Sequence, residues 1–272
     1  MAQGLLSVPT PIWLVGCGNM AGAMLGGWLD AGADPGCFTA IRPSGRPVAP
    51  GVRVATAMPT GDPPAIALLA VKPQKLDEVA PVLAPALGPD TILVSILAGV
   101  ELASLRARFP QQRHIARAMP NTPVRLRKGV TQLFTDSPDA KLIVEELMAA
   151  LGLVEWHDDE ALFALAGHLS GAGPAFLFRF IDALAGAGSR LGLAPDQSAR
   201  IAAGMVEGAA ALAAEAEETP RQLAERVASP GGTTRAGLNI LDQEGALDGL
   251  ILRTLDASRL RGIEMAAAAR PS

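Results

Sequence analysis

The sequence predicts an α/β protein in two parts, a doubly wound parallel sheet over residues 1–158 and an all-helical domain over residues 159–272. Three observations predict it. Short apolar runs alternate with helix-like stretches through the first half. The first of these runs opens directly into a glycine-rich turn. Beyond about residue 158 the strand signals stop, and Ala, Leu and Gly recur at helical spacing. At 272 residues the chain exceeds the roughly 100–200 residues of a typical domain, so two domains sharing one ligand cleft are expected.

Ile12-Trp13-Leu14-Val15 is a buried-strand run, the residues from Gly16 to Gly22 form the turn, and the Ala/Leu/Met segment reaching Gly32 is a helix. Apolar runs at 38–41, 65–71, 92–96 and 114–118 follow as strands, separated by Pro/Gly-marked loops or by helical stretches such as 74–87. In the second half, residues 159–169, 174–191, 195–218 and 246–269 are expected as helices. Their Ala/Gly-rich faces allow close helix approach, and so large an apolar set is more than one small bundle hides, which predicts a homo-oligomer.

The net charge of −4 gives no broad basic field, which argues against nucleic acid or an anionic membrane as partner. Hydrophobic residues make up 49%, yet Gly, Pro or a charge interrupts every apolar run before the roughly 18 residues that a membrane span needs. Residues 1–11 contain no Lys or Arg ahead of their weak apolar stretch, unlike a secretory signal, and read as a short extension. Two cysteines, Cys17 and Cys37, suit a reducing cytoplasm, and with His114, His157 and His168 they show no metal-ligand spacing, so no metal is expected.

Gly16-x-Gly18-x-x-Ala21-Gly22 after a buried strand places glycines where the backbone turns tightly and aims helix N–H groups at a pyrophosphate, as in a Rossmann-type dinucleotide site. A purely structural strand-to-helix turn uses the same pattern. The end of the second strand normally decides between NAD and NADP. Here Arg42, Ser44 and Arg46 supply two guanidinium groups and a hydroxyl, without a carboxylate, which favours the 2′-phosphate of NADPH; two solvated loop arginines are the alternative. Ala70-Val71-Lys72-Pro73-Gln74 and Ser95-Ile96-Leu97-Ala98-Gly99 close the next two strands at the ligand edge of an open parallel sheet.

Five motifs stand in order over more than 200 residues: Gly16-Cys17-Gly18-Asn19-Met20, Ala70-Val71-Lys72-Pro73-Gln74, Met119-Pro120-Asn121-Thr122-Pro123, Ser170-Gly171-Ala172-Gly173-Pro174-Ala175 and Ser229-Pro230-Gly231-Gly232-Thr233-Thr234. Through them the chain resembles the pyrroline-5-carboxylate reductase family. The resemblance implies an oxidoreductase that reduces 1-pyrroline-5-carboxylate to L-proline with NADPH or sometimes NADH, a step of amino-acid biosynthesis. It also implies a helical dimerisation domain whose dimers often build larger rings. It suggests Val15, Gly16, Cys17, Gly18, Asn19, Met20, Ala70, Val71, Lys72, Pro73, Ile96, Leu97 and Ala98 for the cofactor. For the imino acid it suggests Ser229, Thr233, Thr234 and Glu160. Gly167, His168, Ala172 and Phe176 depart from the family's Thr, Ala, Ser and Tyr, and the loop 54–64 lacks the Asn often found there.

Chemically, an imino acid needs its carboxylate anchored and its electrophilic carbon held in line for hydride. A turn carrying Ser229 and Gly232 ahead of a helix beginning near Arg235 offers amides and hydroxyls as an anion site, with Thr234, and less directly Thr233, beside the ring nitrogen. A Pro-Gly-Gly turn with an ordinary Thr cap is the structural alternative. His168 is better read as structural than as a general acid, and Met119-Pro120-Asn121-Thr122-Pro123 as a cleft floor or a rigid turn. A 3-hydroxy-acid dehydrogenase needs a lysine in its helical domain, and none follows Asp159. A reductase of another cyclic imine and a cofactor-binding regulatory protein without activity remain as alternatives.

Overall fold

The computed structural model describes residues 8–269, so most of the expected N-terminal extension, residues 1–7, and the last three residues lie outside the described residues. The first half runs β1 (Ile12–Val15), α1 (Asn19–Asp30), β2 (Phe38–Ile41), β3 (Arg53–Ala55), β4 (Ile66–Leu69), α2 (Leu76–Leu83), β5 (Ile92–Ser95), α3 (Leu102–Arg108), β6 (His114–Met119), β7 (Gly129–Thr135), α4 (Pro138–Ala149) and β8 (Gly152–Trp156). These strands form one eight-stranded sheet in the order β3-β2-β1-β4-β5-β6-β7-β8. The chain builds outward from β1 through β2 to β3, then returns to β4 on the other side, so the β1/β4 boundary is the topological switch point where such sheets bind ligands.

Alternate residues of β1 enter different cores. Ile12 and Leu14 join Met24, Trp28, Val144 and Leu147 on one face, while Trp13 and Val15 join Leu83, Leu105 and Phe109 on the other. With helices on both faces β1, β2, β4 and β5 are fully buried, which is why they read as continuous apolar runs. Trp28 stacks on Phe38 at 5.7 Å between ring centroids, and its indole Nε1 donates to the Leu147 carbonyl at 2.7 Å, joining α1 to α4.

The sheet is not wholly parallel. β7 pairs antiparallel with β6, because the link 120–128 is a short Pro-bounded turn and a parallel return needs a crossover of a dozen or more residues. β3, β7, α4 and β8 carry no strong pattern of their own; β8 alternates half-buried and exposed positions at the sheet edge.

The helical half comprises α5 (Glu160–Arg190), α6 (Pro195–Glu215), α7 (Pro220–Val227), α8 (Thr233–Asp242) and α9 (Ala246–Ala269). α5 runs unbroken through Pro174, where the sequence suggests two segments. Proline has no N–H for the carbonyl four residues back, which is Ser170. That carbonyl instead accepts from Asn121 Nδ2 at 3.0 Å, so the helix continues without an orphaned acceptor.

By contacts the chain divides into two compact units, one reaching to Pro174 and including the residues from Ser258 on, the other Ala175–Ala257. Within the second, Ser198 on α6 donates to the Ala185 carbonyl of α5 at 2.7 Å, and Ser198 and Ala202 are buried. A capping box of Thr219 and Gln222 starts α7. Phe178, Leu212, Ile240 and Leu252 stay exposed. α5 is also long and apolar enough, by length and composition, to cross a membrane; its Ala, Leu and Phe residues keep the average apolar even where Gly, Pro or a charge interrupts the run.

Candidate active site

Gly16 leaves β1 with φ +83°, a left-handed conformation that side chains disfavour. A Cβ there would stand 2.9 Å from Val71 Cγ1 and 3.0 Å from the Ala70 carbonyl oxygen. The Gly16 N–H donates to the Ile41 carbonyl at 2.9 Å, so the turn is stitched to the ends of β2 and β4 together. Gly18 is the N-cap of α1, and nothing lies within 4 Å of a Cβ built on it. A tight turn under an open, backbone-lined concavity at a helix N-terminus fits a dinucleotide pyrophosphate. Val15 and Cys17 are buried, Asn19 is exposed and Met20 half-buried. Burial pushes the Cys17 thiol up, and Arg42 draws it partly back, which puts the guanidinium within electrostatic reach of the turn.

Arg42 follows β2 directly. Its Nε donates to Ser44 Oγ at 3.0 Å, and the Arg46 backbone N–H donates to the same oxygen at 3.4 Å. The three residues expected to read the ribose phosphate therefore share one small turn, with Ser44 and Arg46 exposed. Ala70, Val71 and Pro73 are half-buried, and Lys72 is exposed. After β5, Ile96 is half-buried, Leu97 is buried and Ala98 exposed. A cavity of about 660 Å³ opens beside Pro73 and Ala98, with Gln74, Arg108, Arg261 and Met265 among its lining.

The 229–234 segment forms a turn closed by the Gly232 N–H donating to the Ser229 carbonyl at 3.0 Å, with Gly231 at φ +73°. α8 starts at Thr233, two positions ahead of the sequence expectation, which places Thr233, Thr234 and Arg235 in its first turn. Ser229, Thr233 and Thr234 are exposed and Gly232 is half-buried. Arg235 pairs with Glu225, fastening α8 to α7 on either side of the turn.

Glu160 lies in the first turn of α5. Its Oε1 accepts from Leu102 N at 2.7 Å and from Arg117 Nη1 at 2.6 Å. The departures at Gly167 and His168 each meet a complementary size: a Cβ on Gly167 would overlap the Met119 sulfur, and His168 fills the space over Gly262 of α9. His168 Nδ1 stands 3.5 Å from Ser258 Oγ. Sequence reading missed Arg117, Gln132 and His157. Gln132 donates to Ser170 Oγ at 3.2 Å and contacts His157 Nε2 at 2.7 Å through its Oε1. Arg117 and Gln132 are marked in sequence as polar residues inside strands β6 and β7, and His157 directly follows β8.

Fold and site define a two-part, Rossmann-fold oxidoreductase with its cofactor turn at the sheet's switch point. Residues 160–265 match the family model for pyrroline-5-carboxylate reductase dimerisation, and the pyrroline-5-carboxylate reductase of Pseudomonas aeruginosa is 35% identical over 266 residues, covering 94% of this chain and 96% of that one. The chain belongs to the pyrroline-5-carboxylate reductase family. The structure of the Coxiella burnetii pyrroline-5-carboxylate reductase superposes with a TM-score of 0.86 at 32% identity, covering 95% of this chain and 99% of that one. The Plasmodium falciparum enzyme, solved with NADP bound, shares the fold at a TM-score of 0.82 and 22% identity over 97% and 100% of the two chains.

Proposed function

We propose that the protein reduces 1-pyrroline-5-carboxylate to L-proline in proline biosynthesis, using NADPH, with NADH as the secondary donor. The observation that carries this is the Ser229-to-Thr234 turn feeding the first turn of α8 in a chain of this family. Val15, Gly16, Cys17, Gly18, Asn19 and Met20 hold the pyrophosphate, and Arg42, Ser44 and Arg46 the 2′-phosphate. Ala70, Val71, Lys72, Pro73, Ile96, Leu97 and Ala98 line the path of the ribose and nicotinamide.

When bound, the cofactor supplies the hydride. The protein's own part is binding and orientation. Ser229 and the backbone N–H groups around Gly232 and Thr233 take the substrate carboxylate, where helix N-terminal amides favour negative charge. Thr234, seconded by Thr233, sets its hydroxyl against the ring nitrogen and stabilises the developing amine. Protonation of the imine comes from solvent, so no side-chain acid is required. Glu160 enters through what it fixes, the start of α3 and Arg117.

The functional boundary falls at 158/159, a reading supported by the dimerisation match that begins at residue 160. The exposed apolar positions of α5, α6, α8 and α9 support a homodimer through this domain; assembly of the dimers into a ring and a cytoplasmic location belong to the same proposal. Gly167, His168, Ala172 and Phe176 favour one second reading, a preference for a different cyclic imine.

The test is NADPH oxidation with 1-pyrroline-5-carboxylate beside 1-piperideine carboxylates, repeated with NADH. Fastest turnover of the five-membered ring with NADPH is expected. A six-membered preference supports the second reading, and inactivity on every imino acid discards both.

A further inference from the structure

Arg117 sits in the middle of the sheet, 4% exposed, where a guanidinium is costly to keep. Its charged end lies 4.5 Å from the centroid of the Phe163 ring and bonds to Glu160 Oε1 at 2.6 Å. Burial lowers its pKa, while Glu160 and Glu101 together hold the charge in place. Replacing such a pair by apolar residues is often neutral for stability, so a role beyond stability is the natural question.

The surroundings answer it. Arg117 lies opposite Ser95 in the β5–β6 register, and Ser95 Oγ accepts from the Leu97 N–H at 3.3 Å. The loop 96–101 therefore leaves the sheet beside Arg117. It ends where α3 begins, and there Glu101, the N-cap, makes no side-chain cap. The missing cap comes from Glu160, whose Oε1 accepts from the Leu102 N–H across 58 positions of sequence while it holds Arg117. The far end of the loop is thus bonded to the Arg117–Glu160 ion pair, and its near end leaves the sheet at the register position facing Arg117.

We propose that Arg117 and Glu160 are positioning residues for the reductase, setting the loop that carries Ile96, Leu97 and Ala98 at the height the cofactor requires and tying it to the first turn of α5. This rests on the reading that these three residues meet the cofactor.

The experiment measures NADPH affinity by fluorescence titration, alongside melting temperature, for native protein, Glu160→Asp and the double variant Arg117→Met/Glu160→Leu. The shorter Asp keeps a charge for Arg117 but does not span to Leu102, so NADPH should bind about tenfold more weakly, the loss of one charge-assisted hydrogen bond, with little change in melting. In the double variant melting should likewise stay near native while the weakened affinity persists. A merely structural pair would instead show affinity following melting, and that result, or variants binding NADPH within twofold of native, overturns the positioning role. Native protein that binds neither NADPH nor NADH removes the parent reading with it, an outcome separable from the first because it appears before any substitution.

Discussion

Asn121 donates through Nδ2 to the Ser170 carbonyl at 3.0 Å, supplying the hydrogen bond that Pro174 cannot give inside α5. Its Oδ1 accepts from the Val130 N–H at 2.9 Å, so a single buried side chain holds α5 against β7. Asn121→Ala should destabilise by about 1–3 kcal/mol, because two half-buried backbone groups lose their partner. In a Pro174→Ala background the helix serves Ser170 itself, and the cost of Asn121→Ala should shrink. A double-mutant cycle by urea unfolding measures this, and strict additivity would refute it.

Gly16 and Gly18 should fail differently. At Gly16 an alanine meets both a positive φ and the Ala70–Val71 backbone, so Gly16→Ala is expected to cost at least about 1 kcal/mol of stability as well as activity. Gly18→Ala has free space in the protein and should melt near the native temperature, yet lose cofactor affinity as the methyl enters the pyrophosphate concavity. Calorimetry with and without NADPH separates the two; equal melting losses would contradict the assignment.

Arg42 and Arg46 share the Ser44 turn. Replacing both with Ala should raise the KM for NADPH by roughly 10–100-fold, the worth of a charged hydrogen bond or two, and leave that for NADH within a factor of about two. An unchanged cofactor preference makes them ordinary solvated arginines.

Thr234→Val should lower kcat by roughly 10-fold or more with a smaller change in substrate KM, and Thr234→Ser should retain most of the activity, since only the hydroxyl is needed. Steady-state kinetics at saturating NADPH tests this. Full activity in the valine variant would assign the loop to carboxylate binding alone.

His168 has its pKa lowered by burial and, secondarily, by Arg259. The folded protein therefore resists protonating it, while the unfolded chain protonates near the ordinary value of about 6.5. Below that pH the unfolded state binds more protons, so stability should fall as pH drops from about 6.5 toward the folded value and then level off. His168→Gln should flatten this part of the stability profile and leave the pH dependence of turnover unchanged. A moved turnover profile would instead implicate the imidazole in catalysis.

Much of the site is local and therefore legible in sequence. The turn from Gly16 to Met20, the Arg42-to-Arg46 segment and the 229–234 turn are each contiguous, with glycine and proline spacing that states its backbone geometry directly. The antiparallel β7 and the half-buried β8 were not legible, because their patterns are weak and their pairing follows from the length of a neighbouring link. Continuity of α5 through Pro174 was hidden for another reason: the compensating donor sits 49 positions away in sequence.

The sequence by itself determined the alternation of strands and helices, the glycine turn on the first strand and the family, since each is carried by short-range periodicity or contiguous motif. Tertiary structure alone decided that Glu160 caps a helix 58 positions distant, that Arg117 is buried on Phe163, and that Gly167 and His168 find partners in Met119 and Gly262. Hydrogen bonds and packing are satisfied by whichever groups the fold brings within a few ångström, and separation along the chain does not encode that distance.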